Sequence, residues 1–252
     1  MPAPLTLPRT SWGAPAAPRR ALLVHGLGST GALMWRFGAT LADEGWRAIA
    51  VDLRGHGTAP RALDYTIAAY AADLAHTVPD AGEPWDLVIG HSLGGAAAVV
   101  AGAEHPGWAR RLVLVDPGIV VDERDGEVIR ASQQAAFAHP SEATIRAEHP
   151  GWHPHDVELK AVAAVQASRH AVEQTGIQNS PWDVRAHAIR VTVPAHVIAA
   201  DPAVYSLFSG PVAEGILAAN PLFTLTTVAG AGHSPHRDKP DETMRMLREI
   251  LT

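Results

Sequence analysis

The chain has 252 residues, of which 47% are apolar and 18% charged, with a formal net charge of −6 and no cysteine. That length can bury a sizeable core and fits one domain with an insertion better than two equal domains. The acidic balance argues against nucleic acid or an anionic membrane as a partner, and the lack of cysteine excludes disulfides, thiol catalysis and Cys-ligated metals.

The stretch from Met1 to Pro8 lacks a basic segment followed by an apolar one. No apolar run approaches the roughly 20 residues of a membrane span, so a cytoplasmic protein is expected. Short apolar runs then alternate with helix-like segments, the rhythm of a mostly parallel α/β sheet. Strands are expected at 21–25, 47–51, 86–89, 111–115, 195–199 and 222–228, and helices at 32–44, 66–77, 93–104, 210–219 and 241–251. The strand runs are continuously apolar, as they are where both faces of a sheet are covered. From 119 to 189 the rhythm breaks into helix-like pieces at 126–139, 141–149 and 156–174 with no strand. A helical cap is expected over 119–189, inserted into a core made of 1–118 and 190–252.

Gly90-His91-Ser92-Leu93-Gly94 joins an expected strand to an alanine-rich expected helix. A bend that tight projects its apex side chain clear of the backbone, and the helix start brings N–H groups and a partial positive charge beside the Ser92 oxygen. A serine hydroxyl needs a base, and the base needs a group that orients it. Gly230-Ala231-Gly232-His233 follows the last expected strand, where small residues let a loop carry His233 to Ser92; His236 is the neighbouring competitor. Near the start, His25-Gly26-Leu27-Gly28 ends a strand in a glycine-rich turn. The N–H of Leu27 and that of Leu93 are the natural pair for a developing oxyanion.

These segments together, with Asp52-Leu53-Arg54-Gly55-His56-Gly57, resemble the α/β-hydrolase fold, and they occur in that family's order over nearly the whole chain. The resemblance implies a central, mostly parallel sheet flanked by helices, a helical cap, and a Ser–acid–His triad without a cofactor. Asp52 and Arg54 are expected to pair with each other or hold the loop. The family's usual acid is the fourth residue of a Gly-x-x-Asp pattern after the penultimate strand, where this chain reads Ala200-Asp201-Pro202-Ala203, so that the position holds Ala203. Two candidates therefore stand for the acid: Asp116, at the end of the 111–115 strand, and Asp201, at the end of the 195–199 strand.

Trp35, Phe137, Trp152, Trp182, Tyr205 and Phe208 are candidates to line an apolar pocket beside Gly26 and the oxyanion turn. His149, His153 and His155 invite a metal reading, but Pro150, Gly151 and Pro154 break any helix that would align them, so no metal is expected. The expected activity is hydrolysis of a small-molecule carboxylic ester or lactone through an acyl-enzyme on Ser92. The alternatives are cleavage of a C–C or amide bond by the same residues, or a hydrolase-fold ligand receptor with little turnover. Epoxide hydrolases and dehalogenases of this fold use aspartate at the elbow, which Ser92 counts against.

Overall fold

Residues 3–79 and 82–251 are described by the structure, a computed structural model. Met1, Pro2, Asp80, Ala81 and Thr252, which fall within the core expected over 1–118 and 190–252, lie outside the described residues. Strands β1 (Arg9–Trp12) and β2 (Arg19–Val24) lead into helix α1 (Trp35–Asp43), β3 (Trp46–Val51), α2 (Ile67–His76), β4 (Leu87–His91), α3 (Leu93–Glu104) and β5 (Leu112–Val115). Next come β6 (Val120–Val121), α4 (Glu123–Ala138), α5 (Glu142–Glu148), α6 (Pro154–Gln166), α7 (Arg169–Gln178), β7 (Trp182–Asp183) and α8 (Arg185–Arg190). The chain finishes with β8 (Ala195–Ala199), α9 (Gly210–Ala219), β9 (Phe223–Thr227), α10 (Pro235–Asp238) and α11 (Pro240–Leu251).

Seven strands form one sheet in the order β1-β3-β2-β4-β5-β8-β9. Among the described residues of this sheet, β1 alone runs antiparallel to its neighbour. Side chains alternate across a strand, so each central strand feeds two cores. Leu22 and Val24 of β2 join Val88, Leu114 and Val197 beneath α2, α3, α8 and α9. Ala21 and Leu23 join Ile89, Val113, Val115 and Ile198 beneath α1 and α11. Both faces are thus dry, which is why the strands read as unbroken apolar runs.

Several elements differ from the sequence reading: the helix expected over 156–174 is broken at Ala167 and Ser168 into α6 and α7, and the short helices α8 and α10 carry too few residues for a readable period. Strand β1 was not expected, because its edge residues are polar and mostly exposed and carry no alternation to detect. The 119–189 stretch also contains a strand pair: Val120 and Val121 lie opposite Asp183 and Trp182 in an antiparallel ladder. Two residues are too few for any periodicity. Within that stretch, helices start where side chains cap them: Asp122 accepts from the Asp125 N–H, Ser141 from Thr144 and Ser168 from Ala171.

The 52–57 loop is held differently from the expected pairing. Arg54 forms a buried bidentate pair with Asp73, both bonds at 2.7 Å. Asp52 instead accepts from the N–H groups of Gly31 and Thr58. The planar Arg54 guanidinium meets the Asp73 carboxylate on α2 in a two-bond fork, while the Asp52 carboxylate is turned toward Gly31 and Thr58 and engaged there.

Candidate active site

Ser92 stands between β4 and α3 with φ 54° and ψ −118°, a conformation that a residue with a Cβ adopts only when its surroundings impose it. The bend is held by Ser92 N–H donating to the Val115 carbonyl, while the Ser92 carbonyl accepts from Ala96 and Gly118. Close approach makes the flanking glycine obligatory: a Cβ at Gly94 would lie 2.5 Å from the carbonyl oxygens of Val24 and His25. The chain at Gly26 is pressed against the serine, since a Cβ there would sit 2.9 Å from the Ser92 Cβ. The glycine-rich turn after β2 is therefore delivered directly to Ser92.

His233 Nε2 lies 2.9 Å from Ser92 Oγ, and His233 Nδ1 lies 2.6 Å from Asp116 Oδ2. A carboxylate at Nδ1 makes that nitrogen the proton donor, which leaves Nε2 as an acceptor for the serine hydroxyl. Asp116 follows β5 with φ 38° and is fully buried. Its other contacts come from the 200–208 loop: Ser206 Oγ–H at 2.6 Å, Leu207 N–H at 3.1 Å, Ala200 N–H at 3.2 Å and Phe208 N–H at 3.4 Å. The structure thus brings Ser92, His233 and Asp116 together.

Asp201 is not part of that chain of contacts. Its carboxylate accepts from the N–H groups of Ala203 and Gly230 at 2.9 and 2.7 Å, and these two donors hold its pKa below the usual carboxylate range. It pins the loop that wraps Asp116 to the loop that carries His233. His236 is also apart from Ser92: its ring packs between Phe37 and His91, and burial pushes its pKa far down, so the imidazole is neutral.

Sequence reasoning missed two supporting residues. His91 is buried and donates from Nε2 to the His233 carbonyl at 2.8 Å, with burial holding it neutral. Its place inside the pentad is a signal, though the pentad alone does not say that the imidazole reaches back 142 positions to the base. Ser206, by contrast, sits in an irregular loop and leaves no sequence signal.

Leu93 opens α3, so its N–H is among those a helix leaves without an internal acceptor. Leu27 is half-buried in the turn whose Gly26 touches Ser92. The aromatic candidates divide. Trp35 donates its indole N–H to Asp156 on α6 at 2.9 Å and has the Arg36 guanidinium over its ring, joining α1 to α6. Trp182 donates to the Gly118 carbonyl at 2.6 Å, and Gly118 N–H in turn donates to the Ser92 carbonyl. Phe137 is half-buried on α4 under the Arg169 guanidinium.

Trp152 stacks on His149 and donates to Asp238, while Phe208 belongs to the core. Tyr205 presents its ring edge-on to His233 and donates its hydroxyl to Asp125 at 3.2 Å. Burial and the neighbouring Asp122 raise the Asp125 pKa. His153 caps α6 and His155 faces Glu158, so the three histidines do not converge; among the described residues no group of acidic and imidazole side chains is arranged to hold a metal.

The family model described as the alpha/beta hydrolase family matches residues 21–246. The chain belongs to the alpha/beta hydrolase family. This hydrolase is 34% identical over 140 residues to lipase LipV of Mycobacterium tuberculosis, a match covering 55% of the chain and 53% of the lipase; the chain thus spans about half the length of that relative. It is 25% identical over 247 residues to the 2-(acetamidomethylene)succinate hydrolase of Mesorhizobium japonicum, covering 91% of the chain and 87% of that protein. Among solved structures, an esterase from Exiguobacterium antarcticum superposes with a TM-score of 0.80 at 18% identity, over 97% of this hydrolase and 94% of the esterase. That likeness shows the fold, with its mostly parallel sheet between helices. Among the described residues of this hydrolase, no helix is long and apolar enough to cross a membrane.

Proposed function

We propose that this hydrolase cleaves a small to medium, partly hydrophobic carboxylic ester or lactone through an acyl-enzyme on Ser92. The observation that carries the reading is the continuous chain from Ser92 Oγ to His233 Nε2 at 2.9 Å and from His233 Nδ1 to Asp116 at 2.6 Å. In this reading His233 takes the Ser92 proton as Oγ attacks the acyl carbon, then gives it to the leaving alkoxide. Asp116 fixes the imidazole tautomer and stabilises the imidazolium. The N–H groups of Leu27 and Leu93 receive the oxyanion, and water then attacks the acyl-enzyme with His233 as base. The chemistry calls for no metal or cofactor.

The 119–189 stretch acts as the cap. Its helix α4 contains no fully buried residue. Along it, half-buried Asp125, Ile129, Gln133 and Phe137 recur at helical spacing. Asp125 meets Tyr205 beside His233, and Gln133 meets the Leu27 carbonyl, so this stripe is assigned to the substrate cleft.

A second reading is hydrolysis of an amide or C–C bond by the same residues, favoured by the match along nine-tenths of the chain to a protein named as a 2-(acetamidomethylene)succinate hydrolase. The deciding experiment combines fluorophosphonate labelling with turnover of short- and long-chain p-nitrophenyl esters, a macrocyclic aryl lactone and an anilide, beside Ser92→Ala. Stoichiometric labelling at Ser92 with ester or lactone turnover is the expected result. Labelling with turnover of the anilide alone moves the assignment to the second reading. Labelling without turnover means a receptor, and no labelling of folded protein removes Ser92 as nucleophile.

A further inference from the structure

Two side chains from the inserted helices reach the turn that holds Leu27. Gln133 of α4 places Nε2 3.5 Å from the Leu27 carbonyl, a long contact. Lys160 of α6 makes the better one, donating from Nζ to the Gly28 carbonyl at 2.9 Å across 132 positions of chain. Lys160 is one of only two lysines in the sequence, the other being Lys239.

A half-buried ammonium that takes a backbone carbonyl as its hydrogen-bond partner is costly to desolvate, so its position asks for a reason. The charged and titratable groups near enough to act on it electrostatically are Arg237 on α10, Glu148 on α5, and the imidazoles of His25, His56 and His149. Burial and then Arg237 pull its pKa down to about 8, with Glu148 opposing. The turn it grips is the one pressed on Ser92 at Gly26. A turn of three or four residues fixed at Gly26 by packing and at Gly28 by a charged hydrogen bond has little freedom left to re-aim the N–H between them.

We propose that Lys160 is a positioning residue of the active site: its ammonium clamps the Gly28 carbonyl and so fixes the Leu27 N–H for the oxyanion formed at Ser92. The proposal rests on the serine-hydrolase reading of the same site. It makes the cap a working part of the oxyanion site as well as its roof. Loss of the proton from Nζ weakens a charge-assisted bond to a neutral one, and the turn loosens.

The test follows phosphonylation of Ser92 by a fluorophosphonate, with rate and affinity terms separated, in wild type, Lys160→Met and Lys160→Arg from about pH 6 to about pH 10. Alongside, the amide shift of Ser29, whose N–H shares a peptide with the Gly28 carbonyl, is titrated by NMR. Lys160→Met is expected to slow the phosphonylation step about tenfold with affinity unchanged, less than the loss of an oxyanion donor itself. Wild type is expected to lose rate above about pH 8, where Lys160 deprotonates; Lys160→Arg, which stays charged, keeps its rate there. The Ser29 amide shows a step at the same pH in wild type and none in either variant.

An unslowed Lys160→Met, an alkaline fall that persists in Lys160→Arg, or a Ser29 amide without its step overturns the proposal. Should Lys160→Met not fold, the comparison of Lys160→Arg with wild type decides alone. A folded wild type that does not react at Ser92 refutes the hydrolase reading and with it the role of Lys160, whereas the amide step is read without any reaction, so the two failures are told apart.

Discussion

Asp116 and His233 stand 117 positions apart in the chain and 2.6 Å apart in space, and the contact between them determines which imidazole nitrogen carries the proton. Asp116→Asn keeps the shape but offers an amide that can donate to Nδ1, which moves the proton to Nε2 and faces it toward Ser92. The expected loss in kcat is about 10⁴-fold with the fold intact, as for a triad held in the wrong tautomer. Asp201→Asn, which changes only a brace between loops, is expected to stay within about tenfold of wild type. Ester turnover of both variants, with circular dichroism as the folding control, checks the pair. A reversal of the two losses would transfer the acid to Asp201.

The backbone at Ser92 makes a second expectation. With φ 54° and ψ −118°, the residue occupies a region where a side chain costs about 1–3 kcal/mol. Ser92→Gly removes the Cβ and is expected to be inactive yet more stable than wild type, with a melting temperature higher by about 2–4 °C for each 1 kcal/mol relieved. A variant that melts at or below the wild-type temperature would show that the bend carries no strain.

Acid stability is a third. His25 and His56 are fully buried, and burial lowers their pKa values from 6.5 to about 4 and about 3. Both folded-state values lie below that of the unfolded chain. Between the two values the unfolded chain therefore binds more protons, and stability rises with pH. The contribution is complete above pH 6.5 and is lost progressively as pH falls from 6.5 toward about 4 and about 3. Urea denaturation at neutral pH and at about pH 4.5 is expected to show a loss of a few kcal/mol, on the order of 1.4 kcal/mol per pH unit for each histidine. His56→Gln is expected to flatten that dependence, and an unchanged slope would mean that other groups set it.

Much of the fold is written locally. The buried strands lack polar positions because both faces of the sheet are covered, and the pentad around Ser92 announces its bend through glycines that a close strand–helix crossing demands. The acid is different. Asp116-Pro117 and Asp201-Pro202 are the same dipeptide at the end of neighbouring strands. What separates them is the 200–208 loop, which folds back so that Ser206, Leu207 and Phe208 surround Asp116 while Asp201 turns to Gly230. A choice made by contacts about 90 positions apart leaves no mark on either strand end.

Trp35 shows the same limit. Its place just after the glycine-rich turn is the ground for expecting substrate contact; the structure adds a partner that the sequence does not announce, Asp156, which accepts from its indole N–H across 121 positions. An aromatic residue next to a site in sequence says little about which way its ring turns once another helix packs over it. Lys160, 132 positions from Gly28, was equally hidden, because nothing in its own neighbourhood refers to that turn.

The short ladder of Val120 and Val121 against Trp182 and Asp183 brings the entry and exit of the intervening helices side by side. A segment that leaves and rejoins a scaffold at one doorway adds no demand on the distance between its ends, so its length and contents can change while the sheet beneath keeps its spacing. For protein engineering, that doorway is the natural seam: a foreign helical segment grafted between residues 121 and 182 would rejoin the same sheet, and would have to replace the partners that Asp156 gives Trp35 and Arg36, that Gln178 and Asn179 give the Tyr65 and Ile67 N–H groups, and that Lys160 gives the Gly28 carbonyl.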